Sequence, residues 1–395
     1  MKKFRKFLAK NRRKLFWMTL AALSLAALLL FRLGSLTGGL SPEEAAAANG
    51  TYCWSGLYHQ PLFLPLDLLR SVIFFAFRHH GQTLTRLPDA MLGGLAILAF
   101  GQLLRRWHGN RTAALTLALF ACGAWTLHVS RLASNDVLYL LALPLMLLAH
   151  LNLSDKHSKP RDFYAILLLW GLSLYVPGLI WFVLLDIWWL RKSLKTGWTA
   201  LKNLKQRLLA GLAVVVWLPL LIIDLTRAGQ WRIWLGLPDQ WPAPLHYLKE
   251  LAAVPLHLLV RGPEGATTWL GKAPVLDIFS LAVCLIGIFF YAKHWRANRS
   301  HLIASWLVLG IILIALGGAV SLSLLVPMLY VLAATGIAYL LHEWLQVFPI
   351  NPLARAIGIG LVILAVAASC FYNLRAYFVA WPNDPTTVAA FQEHR

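Results

Sequence analysis

The chain has 395 residues, of which 59% are hydrophobic and only 13% charged. Soluble domains carry roughly 45–50% apolar and about 25% charged residues. A soluble globular protein is therefore excluded, and so is a nucleic-acid binder, despite 36 Lys and Arg against 16 Asp and Glu. A basic excess in so apolar a chain reflects orientation in a bilayer, and the 18 Trp suit the headgroup level where indoles collect. The four cysteines (Cys53, Cys122, Cys284, Cys370) have neither metal-ligand spacing nor the pattern of a disulfide framework.

In chain order, residues 1–14 form a basic cytoplasmic tail ahead of an apolar run at about 15–36. That run is longer than the core of a typical secretory signal and no small-residue cleavage site follows it closely, so it reads as a retained signal-anchor. A spanning helix takes roughly 20 mostly apolar residues. Further candidates lie at about 84–104, 112–128, 137–151, 208–225, 274–292 and 357–374, and the run 302–341 holds two spans that fold back near Gly317-Gly318. The run 163–190 has basic flanks on both sides (Lys156, Lys159, Arg161; Arg191, Lys192, Lys195). It is expected to be a hairpin of two short helices turning at Tyr175-Val176-Pro177-Gly178.

The segment from Pro61 to Phe77 decides the topology. It is apolar enough to span, yet it carries Asp67 and Arg70 one helical turn apart and is led by Pro61 and Pro65. As a spanning helix it would carry most of the Lys and Arg outward, against the positive-inside rule, so it is read as an interfacial helix. The expected fold is an all-α polytopic membrane protein of about eleven transmembrane helices, with an outer-face interfacial helix after the first span. Residues 1–395 then make a single integral-membrane domain, with a first outer loop at 37–83, a second at 226–273 and a short outer C-terminal tail at 375–395. The N-terminus is cytoplasmic, in what is expected to be a bacterial plasma membrane. Most acidic residues, including Glu43, Glu44, Asp67, Asp89 and Asp136, fall at the outer face, so any chemistry faces outward.

Three features could carry that chemistry. In Ser41-Pro42-Glu43-Glu44-Ala45, Ser41 can cap a short helix with two carboxylates in its first turn. They either complement the helix dipole or supply a general base at the membrane surface. His59-Gln60-Pro61-Leu62 leads into the interfacial helix, which brings Arg70 and Arg78 to the depth of a lipid phosphate. These cations either snorkel or grip that phosphate. His79-His80 lacks the spacing of a metal site. In the short loop Ser130-Arg131-Leu132-Ala133-Ser134-Asn135-Asp136, Arg131 and Asp136 sit at a membrane boundary. They are read either as a mutual salt bridge with Asp136 capping the next helix, or as functional charges.

Taken in order, these pieces resemble the GT-C superfamily of membrane glycosyltransferases, in particular its protein-mannosyltransferase and aminoarabinose-transferase-like branch. The similarity rests on Glu43-Glu44-Ala45, His59-Gln60-Pro61-Leu62 and Arg86-Leu87-Pro88-Asp89, then Arg105-Arg106-Trp107-His108-Gly109-Asn110-Arg111 and the loop from Ser130 to Asp136. It covers about the first 150 residues well. Glu43 stands where the family has Asp, and Gln60-Pro61 replaces paired prolines.

The resemblance implies transfer of a sugar from a polyprenyl-phosphate carrier to a glycan, lipid or protein acceptor at the outer face, by a single inverting displacement. Glu43, Glu44 and Asp136 are then the candidate catalytic carboxylates, and His59, Arg70, Arg78, Arg86 and Arg131 the candidate substrate-binding groups. The lipid-linked sugar is the expected donor. No residue is assigned as a metal ligand, although related enzymes differ in whether they need a divalent metal. The competing readings are a secondary transporter, for which one broken hairpin at Pro177 without a second copy speaks weakly, and a non-catalytic membrane scaffold.

Overall fold

The computed structural model describes residues 16–17, 19–50, 61–77, 81–155, 159–199, 201, 203–218, 220, 229–263 and 273–392. Among them every regular element is helical. The first half of the chain gives α1 (Thr19–Leu30), α2 (Pro42–Gly50), α3 (Leu64–Phe77), α4 (Gln82–His108), α5 (Asn110–Cys122), α6 (Ala124–Arg131) and α7 (Val137–Ser154). There follow α8 (Pro160–Ser173), α9 (Leu179–Thr199), α10 (Leu204–Val215), α11 (Gln230–Trp234) and α12 (Pro244–Leu259). The last third gives α13 (Ile278–Lys293), α14 (Asn298–Ala315), α15 (Val326–Val347), α16 (Pro352–Arg375) and α17 (Pro385–Gln392).

A helix that is apolar all round is either enclosed by other helices or faces lipid, and both kinds occur. The first half of α15, Val326 to Ile337, is wholly buried at the centre of the bundle. On α16, by contrast, Leu353, Ile357, Leu361, Leu364 and Phe371 are exposed, a surface that only a hydrocarbon solvent accommodates.

Five described helical stretches are long and apolar enough to span a bilayer, and six if the bent pair α5–α6 counts as one. The expected eleven are not reached on this measure. The physical reason is length: α1 and α13 are apolar but shorter than the roughly 20 residues a full crossing takes. Both expected fold-backs are present. The 163–190 run is the hairpin α8–α9, its turn closed by Gly178 at φ 76, a left-handed backbone that suits glycine. The 302–341 run turns at Gly317, also at positive φ, before α15.

One expected span is not straight. The 112–128 run breaks at Gly123, and α5 and α6 meet at 59°. The break leaves the Ala124 amide to be satisfied from outside its own helix, and Asn373 Oδ1 on α16 accepts it at 3.1 Å. Asn373 is held in turn by Asp277, whose Oδ1 accepts from Asn373 Nδ2 at 3.2 Å. A buried amide without such a partner would be costly, so this pair of side chains stabilises the bend that aims α6.

The C-terminal segment is folded. A π-turn at Ala376–Ala380 and a 3-10 turn at Trp381–Asn383 lead into α17. Trp381 and Phe391 are buried, and the Phe391 carbonyl lies against Gly39 so closely that a Cβ there would collide with it. The tail thereby packs onto the loop that precedes α2.

Candidate active site

The site begins with the local chemistry of Ser41-Pro42-Glu43-Glu44. Proline at the first helical position costs no hydrogen bond, and Ser41 and Glu44 close a reciprocal capping box. The Glu44 amide donates to Ser41 Oγ at 3.2 Å, and the Ser41 amide donates to Glu44 Oε2 at 2.9 Å. The box turns Glu44 inward, where it is buried, and leaves Glu43 exposed on the helix surface.

Glu44 then meets Arg86 in a two-pronged ion pair, with Nε to Oε1 and Nη2 to Oε2 both at 2.7 Å. The remaining Arg86 donors go to the Leu33 and Gly39 carbonyls and to Thr37 Oγ1. Arg86, 1% exposed, thus engages all three of its guanidinium nitrogens inside the protein. A second frame stands beside the first. Arg70, 2% exposed, donates from Nη2 to both oxygens of Asp89 at 3.1 and 3.2 Å, and from Nη1 to Asp67 at 3.3 Å and Asn135 Oδ1 at 3.2 Å. Burial pushes the Asp67 carboxyl above its ordinary value, and Arg70 partly offsets that shift.

These frames grip the loop between α6 and α7 at two points. Glu44 Oε1 accepts from the Ala133 amide at 3.0 Å, and Arg70 holds the Asn135 side chain. The loop is thereby set against α2 and α3, and its last residue, Asp136, faces a cavity of about 380 Å³. Glu43, Glu44, Asp136, His128, Trp125 and Phe63 are among the residues lining that cavity. Phe63 holds a left-handed backbone at φ 64, and its amide donates to the Tyr175 carbonyl at 2.8 Å. Asp136 Oδ2 accepts hydrogen bonds from the hydroxyls of Ser321 and Ser323. Burial raises the Asp136 pKa, and those two hydroxyls work against the rise.

The structure thus brings Glu43, Glu44 and Asp136 to one cavity. It spreads the expected cationic groups differently. Arg70 and Arg86 are each committed to carboxylates. Arg131 makes no ion pair with Asp136 among the described residues; it donates to the Phe31 carbonyl and lies over the rings of Tyr377 and Phe378, at 5.2 and 4.6 Å. Asp136 precedes α7 without capping it through its side chain. His59 and Arg78 lie outside the described residues.

Three groups were not singled out by sequence reasoning: His128 on the cavity wall, and Ser321 and Ser323, which hold Asp136 from behind it. His128 is hidden in an apolar run that reads as an ordinary span, and only its ionisable ring at membrane depth marks it. Ser321 and Ser323 lie some 185 residues from their partner, with nothing local to link them. Among the described residues, no group of three or more His, Cys, Asp or Glu side chains is arranged to hold a metal ion.

This all-helical bundle, with three carboxylates on one cavity at the foot of a capped helix and a short loop pinned by buried Arg–carboxylate pairs, shares its fold with two solved proteins, both of them GT-C glycosyltransferases. In three dimensions the chain is similar to ArnT, the aminoarabinose transferase of Cupriavidus metallidurans, in the apo state. The TM-score is 0.56 at 14% identity, over 96% of this chain and 78% of that one. It is similar to the same protein bound to undecaprenyl phosphate, with a TM-score of 0.56 at 13% identity over 95% and 77% of the two chains. It is also similar to the oligosaccharyltransferase AglB of Archaeoglobus fulgidus in complex with an inhibitory peptide and a dolichol-phosphate. There the TM-score is 0.54 at 15% identity, over 92% of this chain but 56% of that one. No protein-family model matches the sequence, and no curated protein matches it significantly.

Proposed function

We propose that the chain is a glycosyltransferase that moves a sugar from a polyprenyl-phosphate carrier to an acceptor hydroxyl at the outer face of the membrane. The observation that carries this reading is the meeting of Glu43, His128 and Asp136 on one cavity, within a fold shared with a transferase that binds undecaprenyl phosphate.

Glu43 is the general base. It is exposed on the cavity wall, while its neighbour Glu44 is spent on Arg86 and two backbone amides. As the acceptor oxygen attacks the anomeric carbon, its proton passes to the Glu43 carboxylate. The bond from that carbon to the phosphate oxygen breaks on the opposite side, and its electron pair leaves with the lipid phosphate. One displacement inverts the centre, and the protein supplies no nucleophile. General-base assistance of this kind contributes roughly 10²–10⁴-fold.

The charge that develops on the phosphate needs a donor. Among the described cavity residues the ring N–H of His128 is suited to it, since α6 carries His128 to the wall and a donor placed where charge develops gains strength in a dry site. Arg70 and Arg86 act as the frame that sets the Ala133–Asp136 loop, and Arg131 as an anchor of α6 on the C-terminal segment. Asp136 orients a hydroxyl of the bound sugar or acceptor. The carrier's apolar tail lies between helices, reached from lipid without crossing water.

The test is to incubate the purified full chain with a panel of radiolabelled polyprenyl-phosphate sugars and to follow release of the lipid phosphate. Release with at least one donor, lost on Glu43→Gln, is expected. A correctly inserted protein that releases none of them would overturn the proposal.

A further inference from the structure

We propose that Ser321 and Ser323 form a two-hydroxyl clamp on one oxygen of Asp136. The clamp reserves the other oxygen for a hydroxyl group of the bound ligand, and it makes the turn entering α15 a specificity-determining part of the cavity. This deepens the transferase reading and, in its ligand half, rests on it.

The direction of each hydroxyl follows from its other partner. The Trp125 indole N–H, which can only donate, gives its proton to Ser323 Oγ at 3.1 Å. Ser323 is thereby left to donate its own proton, and Asp136 Oδ2 accepts it at 2.9 Å. Ser321 Oγ accepts from the Ser323 amide at 3.2 Å; of the two acceptors in reach of its own proton, Ser323 Oγ at 3.2 Å and Asp136 Oδ2, the carboxylate oxygen is nearer and charged, and takes it. Both donors converge on the same oxygen, and among the described residues Oδ1 has no hydrogen-bond partner. An ionised carboxylate oxygen only accepts. On a cavity wall it selects a neutral O–H, as on a sugar, and repels a second anion.

The turn that carries the serines is itself fastened. The Tyr139 hydroxyl on α7 lies within hydrogen-bonding distance of the Pro177 carbonyl at 3.0 Å and the Ala319 carbonyl at 3.3 Å, and Ala319 also lines the cavity. The titratable groups that face Asp136 are Tyr139 on its own helix, Glu43 and Glu44 from α2 and His128 from α6. The turn before α15 contributes only hydroxyls.

Two readouts on the purified full chain test the clamp. The first is the melting temperature at pH 5 and pH 8 of wild type, Ser321→Ala/Ser323→Ala, Ser321→Thr/Ser323→Thr and the alanine pair in an Asp136→Asn background. Burial already lifts the folded pKa of Asp136 above its unfolded value, so its ionisation weakens the fold as pH rises. Removing the donors lifts the folded pKa further. The loss caused by the alanine pair therefore grows with pH, to at least about twofold more at pH 8 than at pH 5. It is restored by threonine, and its pH-dependent part vanishes in the Asp136→Asn background. A loss that is equal at the two pH values, or that keeps its pH dependence without Asp136, overturns the clamp whether or not the protein is an enzyme. Should the double variant fail to fold, Ser321→Ala alone carries the same comparison.

The second readout is the KM for whichever labelled polyprenyl-phosphate sugar the wild type uses. A rise of about tenfold with kcat much less affected is expected for a misplaced ligand-binding oxygen. An unchanged KM overturns the ligand role. A pH-dependent stability loss in a protein whose wild type transfers no sugar overturns the transferase reading, and with it that role, while leaving the clamp standing.

Discussion

Replacing Arg86 by methionine removes a guanidinium that makes five hydrogen bonds, two of them to Glu44. Methionine fills much of the same volume but leaves the Glu44 carboxylate buried, with the Ser41 and Ala133 amides as its remaining donors and no counter-charge. Breaking a buried pair from one side costs about 3–5 kcal/mol, and the orphaned Leu33 carbonyl adds to that, while the Gly39 carbonyl keeps the Thr37 hydroxyl as a donor. Glu44→Gln removes the other charge, so the double variant Glu44→Gln/Arg86→Met should be more stable than the summed single losses imply, by about 2 kcal/mol. Thermal unfolding of the detergent-solubilised protein, followed by the fluorescence of its 18 Trp, gives all four corners of the cycle. The reasoning fails if Arg86→Met melts like wild type yet binds labelled polyprenyl phosphate more than about tenfold more weakly. Arg86 would then be a ligand group, as the sequence alone suggested, and not part of the frame.

Glu43→Gln should lower kcat by roughly 10²–10⁴-fold while leaving the melting temperature near wild type, because the side chain is exposed and makes no described hydrogen bond; single-turnover transfer measures it. The acidic limb of the transfer rate should lie above the ordinary carboxylate range, because activity that needs ionised Asp136 falls as pH drops through its raised pKa. A pH–rate profile shows this limb, and Asp136→Asn should lack it. Asn373→Ala should destabilise the protein by about 1–2 kcal/mol by leaving the Ala124 amide unpaired at the bend. It should also slow transfer, since α6 carries His128; Asn373→Asp, which puts a second carboxylate against Asp277 in place of a donor, should recover neither.

Much of the fold was legible because the bilayer imposes a simple pattern. The two fold-backs at Gly178 and Gly317 follow from turn residues placed inside apolar runs, and the short helix at Pro42 from its capping residues. The bend at Gly123 was not legible. Its stabilising partners, Asn373 and Asp277, come from distant parts of the chain, and a glycine in an apolar helix is otherwise unremarked. The same division holds at the cavity. Glu43 and Asp136 stand out as charges beside apolar runs, and their meeting was foreseeable from the order of the motifs. The state of each arginine was not. Whether Arg70 or Arg86 reaches outward to a phosphate or inward to a carboxylate depends on Asp89 and Glu44 being turned toward it. Helix packing decides that, and residue spacing does not record it. The ordered motifs acquire a physical meaning here: Glu44 with Arg86, and Arg70 with Asp89 and Asn135, are the two halves of one frame that sets a five-residue loop against the cavity.

A structure of the full chain with a non-hydrolysable polyprenyl-phosphonate sugar tests the roles of Glu43, His128 and Asp136 most directly. The phosphonate is expected within hydrogen-bonding distance of His128, with the anomeric carbon exposed toward Glu43 and a sugar or acceptor hydroxyl on Asp136 Oδ1. An analogue seated away from these three side chains, for instance in the apolar cleft lined by Phe279, Ala365 and Tyr372 between α13 and α16, would contradict those roles.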